Sequence, residues 1–163
     1  MTNQTPVQIA WVTRDLDATE AALTTLLGAR KWIRMPDVHF GPDTCVHRGA
    51  PADYRADISL SYAGDTQLEL IAPTSGESIY TEFLDESGPG LHHICVEAAD
   101  AEAFEAALAD AEATAPVVAR GEMPGGMKFA YVAAPAAGVP YLEIAFVPDA
   151  IRKFYDYVKQ EQQ

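Results

Sequence analysis

Apolar and polar positions along the chain fall into short alternating runs separated by amphipathic stretches. The opening run VQIAWVT reads as a strand, and RDLDATEAALTTLLG places Leu16, Leu23, Leu26 and Leu27 near helical spacing, with Gly28 suited to a C-terminal cap. Residues 29–35 predict a second strand, 36–54 a loop containing Pro and Gly, and 55–63 a third strand reaching a Gly64-Asp65 turn. QLELIAP predicts a fourth strand, ended by Pro73, and the connector 74–89 holds SIYTEFLDE, predicted as a short helix. The same order then returns. LHHICVEAAD is strand material, and Asp100 opens an Ala-rich helix with Phe104 and Leu108 on its apolar side. Residues 117–119 begin a strand, GEMPGG is a loop, and KFAYVAA and VPYLEIAFV are the last two strands. Beyond Pro148 the stripe Ile151, Phe154, Tyr155 and Val158 predicts a helix packed on the outside of a sheet.

The repetition extends to chemistry. Gln8-Ile9 stands seven residues before Asp15, as His93-Ile94 stands seven before Asp100, and LEL at 68–70 matches LEI at 142–144. A strand-helix-hairpin unit is too small to be stable alone, but two side by side can share one sheet and one cavity. The expected fold is therefore α+β: a single domain over 1–163 made of two tandem β-α-β-β-β modules. These occupy about 5–73 and 90–147, form one curved mixed sheet, and precede a C-terminal helix at 148–160.

Strand side chains alternate with period two, so Leu68, Leu70 and Ala72 share one face and Glu69 lies on the other. In the last strand Leu142, Ile144 and Phe146 oppose Glu143; in the first, Ile9 and Trp11 oppose Gln8; His93 opposes Ile94 and Val96. By this parity His92 faces away from His93, in a packing or capping role. Gln8, Glu69, His93 and Glu143 thus converge on one concave face. Carboxylates on an apolar surface are costly unless a cation or donor compensates them. A divalent metal is the economical partner, and imidazole with carboxylate and amide oxygens suits Co, Mn, Zn, Ni or Fe. The alternative is a solvated sheet face on which the glutamates pair with Arg55 or Lys128.

Charge narrows the partners. With 24 acidic against 11 basic residues, the formal net charge of -13 disfavours nucleic acid and anionic membrane surfaces and favours a small molecule. No apolar stretch has the length of a membrane span. Cys45 and Cys95 are too few and too separated for a disulfide framework or a thiolate zinc cluster, and no secretory pattern opens the chain. The expectation is a cytoplasmic protein with reduced thiols, with a homodimer as the candidate assembly.

These motifs carry a family resemblance. GPGLHHICVEAAD resembles the second-module opening of methylmalonyl-CoA epimerases, and TQLELIAP and VPYLEIAF resemble the two ligand-bearing strands of the vicinal oxygen chelate superfamily. That superfamily includes glyoxalase I, extradiol dioxygenases and metal-free antibiotic-binding proteins. The resemblance covers about residues 5–147 and implies the glyoxalase/bleomycin resistance/dioxygenase fold. It also implies a metal set at Gln8, Glu69, His93 and Glu143, where Gln8 replaces the family's first His with a weaker neutral donor.

The implied activity is a metal-dependent isomerase, epimerase or lyase acting on a carbonyl compound through an enolate-like intermediate, with acyl-CoA epimerisation the most concrete case. Glu143 would be one acid/base group. Asp53, just before the third strand, would be the other, with Asp57 a poorer substitute. The basic residues expected near the mouth, Arg34, Arg48, Arg55, Arg120 and Lys128, are few for a substrate with several phosphates. Two alternatives stay open: a glyoxalase I-like lyase, and a metal-free binding protein whose cavity is lined by Trp32, Met35, Tyr62, Met123, Met127, Phe129 and Tyr131.

Overall fold

In the computed structural model, which describes residues 3–163, both halves of the chain contribute to one curled mixed sheet. The first half runs β1 (Pro6–Val12), α1 (Leu16–Leu27), β2 (Ile33–Phe40), β3 (Cys45–His47), β4 (Ala50–Pro51), β5 (Tyr54–Ala63) and β6 (Thr66–Ser75). After α2 (Ile79–Ser87) come β7 (Gly90–Ala98), α3 (Ala101–Glu112), β8 (Val117–Glu122), β9 (Lys128–Ala133), β10 (Tyr141–Phe146) and α4 (Asp149–Gln160). The sheet has 10 strands in the order β2-β5-β6-β1-β7-β10-β9-β8-β3-β4, curled into a half-barrel.

The helix boundaries have local causes. Asp15 and Asp100 accept backbone N–H groups of Ala18 and Ala103 at the openings of α1 and α3, each cap worth about 1 kcal/mol. Gly28, at φ 75, closes α1 in a left-handed conformation that a side chain would oppose. Ser78 and Thr81 form a reciprocal capping box that starts α2.

Period-two alternation divides the packing between the two faces of the sheet. On the outer face of the second half, Ile144 and Val96 pack with Phe104, Leu108 and Ala111 of α3. Burying Phe104 and Leu108 contributes roughly 1.5–3 kcal/mol each. α1 packs on β6, whose Leu68 and Leu70 are buried. On the concave face Val12, Ile58, Ile71, Phe129 and Tyr131 belong to one larger core.

Two expectations need correction. The second strand is not 29–35: it begins at Ile33 and runs to Phe40, so the stretch 36–54 holds most of β2 as well as β3 and β4. Pro36 is tolerated because β2 is an edge strand, and a bulge between Met35 and Val38 places Asp37 at φ 56. β3 forms by pairing with β8 of the other half, a contact that no local pattern announces. Its approach is close: a Cβ at Gly121 would lie 2.7 Å from Cys45 Sγ. The last helix is also not outside. α4 covers the concave face, where Tyr155 and Val158 join the larger core, because that face still offers apolar surface after α1 and α3 have covered the outer one.

Candidate metal centre and cavity

The site forms where the central strands meet. β1 runs parallel to β6 and antiparallel to β7, so Ala10 stands beside both Glu69 and His93, while Gln8 stands beside Gln67 and Cys95. β7 runs parallel to β10, which sets Glu143 beside Cys95. The small Ala10 side chain leaves room between the polar groups of its neighbours. His93 Nε2 lies 3.1 Å from Glu143 Oε2 and 3.4 Å from Glu69 Oε2. One ligand atom from each of these three residues falls within 4.8 Å of the others, a grouping that could hold a metal ion.

Their electrostatics reflect burial and proximity. His93 is fully buried, which lowers its proton affinity, but Glu143 and then Glu69 more than reverse this and raise its pKa to about 9. Burial raises the pKa of Glu69, only partly opposed by His93. The metal-free cluster therefore favours an imidazolium between carboxylates. His93 Nε2 nevertheless has no aligned hydrogen-bond partner. Gln8 donates through Nε2 to Gln67 Oε1 at 2.6 Å, and its Oε1 is buried without a partner. An imidazole nitrogen directed between two carboxylates, with an unpaired amide oxygen on the neighbouring strand, fits a divalent cation.

His92 does not face away from His93. Its Nδ1 lies 2.8 Å from His93 Nδ1, and its ring packs against Tyr80, Phe83 and Tyr141. The register of β7 against β1 shifts between Ala10 and Trp11, from His93 to Leu91, so His92 is the extra residue of a bulge and escapes strict alternation. Burial and the neighbouring His93 push its pKa down to about 2, keeping it neutral. A neutral His92 accepts from His93 Nδ1–H, which leaves His93 Nε2 directed toward the glutamates.

Above the cluster is a cavity of about 220 Å³ whose wall includes Glu69 and Glu143. Met35, Met123, Met127, Phe129 and Tyr131 line it as expected, but Trp32 and Tyr62 do not. Trp32 instead donates to Thr24 Oγ1, and Tyr62 accepts from Gln67. Tyr80, Ile151, Phe154 and Tyr155 are wall residues the sequence reading did not include. The stripe on α4 was the available signal for the last three; Tyr80 lies in the connector helix, outside either repeat. Tyr80 and Tyr131 hydroxyls form a pair at 2.7 Å, and burial raises both phenol pKa values well above the ordinary value. Asp53 is exposed and outside the wall, with Oδ1 2.7 Å from His39 Nε2. Asp57 accepts from the backbone N–H of Asp37.

The model of the Glyoxalase/Bleomycin resistance protein/Dioxygenase superfamily matches residues 7–131, and the chain belongs to this superfamily. Among solved structures, hypothetical protein BH1468 from Bacillus halodurans C-125 is similar with a TM-score of 0.65 at 18% identity, over 91% of this chain and 97% of that one. Methylmalonyl-CoA epimerase from Mycobacterium tuberculosis gives 0.61 at 18% identity, over 94% and 95% of the two chains. A Streptomyces coelicolor methylmalonyl-CoA epimerase variant in complex with 2-nitronate-propionyl-CoA gives 0.56 at 20% identity, over 90% and 96%. Uncharacterized protein YqjC of Bacillus subtilis (strain 168) is 35% identical over 49 residues, which span 30% of this chain and 35% of that protein's length.

Proposed function

We propose that the protein is a metal-dependent isomerase, epimerase or lyase that acts on a carbonyl compound by proton transfer at the α-carbon. The observation that carries this reading is the convergence of Glu69, His93 and Glu143 at one end of a largely apolar cavity. Glu69, His93 and Glu143 would hold a divalent cation, with Gln8 Oε1 joining directly or through water. When bound, that cation supplies Lewis acidity to a substrate carbonyl.

The chain's own residues supply the rest. Glu143 faces the cavity and takes up the α-proton. The largely apolar wall lowers the local polarity, which strengthens the charge interactions inside. Tyr131 and Tyr80 stay protonated, and their paired hydroxyls place a phenol donor at the cavity wall, where a developing oxyanion would meet it. Asp53 remains the candidate for proton delivery to the opposite face, although it stands outside the wall, and Asp53→Asn tests that role. An unchanged exchange rate in this variant removes Asp53 from the mechanism.

A second reading is favoured by the mutual compensation of the cluster: an imidazolium between two carboxylates needs no metal. The protein would then be a metal-free binder of a small molecule. Elemental analysis of protein purified without chelators separates the two. One transition-metal ion per chain, lost in Glu143→Ala, is the expected result. Persistent absence of metal after incubation with Mn, Co, Ni, Zn and Fe(II) salts would leave the binder.

A further inference from the structure

The cavity wall bears on which carbonyl compound the site accepts. Its only ionisable carboxylates are Glu69 and Glu143, and none of its residues is Lys or Arg. Three of the chain's 4 methionines, Met35, Met123 and Met127, line it together with Phe129 and Phe154. Methionine adapts to ligand shape and packs favourably on aromatic rings. An anionic group entering this space would meet two carboxylates and no basic side chain. A malonyl-type carboxylate is therefore disfavoured inside the cavity, beyond what a bound cation could itself neutralise.

The basic residues expected near the mouth are no better suited to the phosphates of a coenzyme A thioester. Each basic residue expected near the mouth already faces a carboxylate. Arg34 pairs with Glu20 and Asp17, Arg48 with Glu82, Arg55 with Asp37, and Arg120 and Lys128 share Glu105. Such exposed pairs are weak singly, at about 0–1 kcal/mol, so pairing alone is no bar. The chain's net charge of -13 adds a general repulsion of a polyanion.

Size gives the remaining limit. A cavity of about 150 Å³ accepts one benzene ring. By that scale, the 220 Å³ available here takes roughly nine non-hydrogen atoms.

Resting on the enolising activity above, we infer that the substrate is an uncharged aromatic or alicyclic ketone or aldehyde of about this size, seated in the cavity beneath α4, and not an acyl-CoA. The carbonyl is directed toward Glu69, His93 and Glu143, and the ring lies against Met127, Phe129 and Phe154.

The test compares propiophenone with propionyl-CoA on Mn-loaded and metal-free full-length protein. Binding is measured by isothermal titration calorimetry, and α-deuterium incorporation in D₂O by NMR. Propiophenone is expected to bind at least tenfold more tightly than propionyl-CoA, and to exchange its α-protons only with metal. Phe154→Arg should weaken propiophenone binding at least tenfold, while Phe154→Leu should keep most of it; Met127→Arg serves if the first variant does not fold. Tighter binding and faster exchange of propionyl-CoA overturn the substrate class and leave the enolising enzyme standing. Equal propiophenone binding with and without metal, with no exchange of either compound, overturns the enzyme reading and leaves the compound's chemical class as that of a bound ligand only. Failure of propiophenone to bind, or binding indifferent to Phe154→Arg, overturns the inference.

Discussion

The two strands that meet at the centre of the sheet solve one problem with different chemistry. On β1, Gln8 is anchored by Gln67 and presents a neutral amide oxygen. On β7, His93 is anchored by His92 and presents an imidazole nitrogen to two glutamates. In each case a neighbouring side chain ties down one end of the group and leaves the other buried without an aligned partner. The pseudo-repeat thus preserves the anchoring and changes the donor. The difference predicts that β7 dominates cation binding and that β1 adjusts preference.

The most damaging change to that asymmetry is the loss of a ligand on β7 or β10. His93→Ala or Glu143→Ala is expected to weaken Mn binding by roughly 3 kcal/mol or more, over a hundredfold, because the buried cation loses a ligand that no water can fully replace. Titration calorimetry measures this directly. Gln8→Ala should cost far less, and equal losses on the two strands would end the comparison.

Acid should act in the same direction. His93 must shed a proton to ligate, and its metal-free pKa is raised to about 9, so below that pH a proton competes with the cation. Affinity should fall about tenfold for each unit of acidification below this value, with the raised Glu69 carboxyl adding to the loss at lower pH. A flat Mn affinity between pH 6 and pH 8 would contradict the proposed ligation by His93.

Anchoring residues come next. His92→Phe retains an aromatic ring among Tyr80, Phe83 and Tyr141 but removes the acceptor for His93 Nδ1–H. Metal affinity should drop about tenfold with little change in melting temperature, and His92→Asn, which restores an acceptor oxygen, should recover part of it. A loss of folding without a selective effect on metal would make His92 a packing residue only.

The smallest effects belong to β1. Gln8→His should leave the fold intact, since Ile9 and Trp11 are untouched, and shift preference toward Zn or Ni. Competition between Mn and Zn for wild type and variant reads this shift; identical ratios would place Gln8 outside the cation's reach.

Much of this was legible in the sequence because period-two alternation and the recurring Asp caps are local signals. They gave the repeated order of elements and put Glu69 and Glu143 opposite the leucine faces. What stayed hidden depends on non-local pairing. β3 exists only against β8, and neither residue pattern nor composition reveals a partner so far along the chain. His92 was assigned to the wrong face because alternation holds only in a regular register, and the bulge beside Ala10 suspends it. The α4 stripe revealed which side of the helix is apolar, but not the surface it would meet. The Asp53 assignment rests on its match to the family's position before the third strand, which constrains sequence distance and not the direction of the side chain.

The edges of the sheet carry a consequence for association. An open edge offers unpaired N–H and C=O groups to any stray extended chain, and is a common start of aggregation. Here one edge is β2, interrupted by Pro36 and bent by its bulge, and the other is β4, only two residues long and ending in Pro51. Proline cannot donate to a ladder, so neither edge is a good template for another strand. A second copy of this chain would accordingly be met through side chains on helices and loops, not by lengthening the sheet.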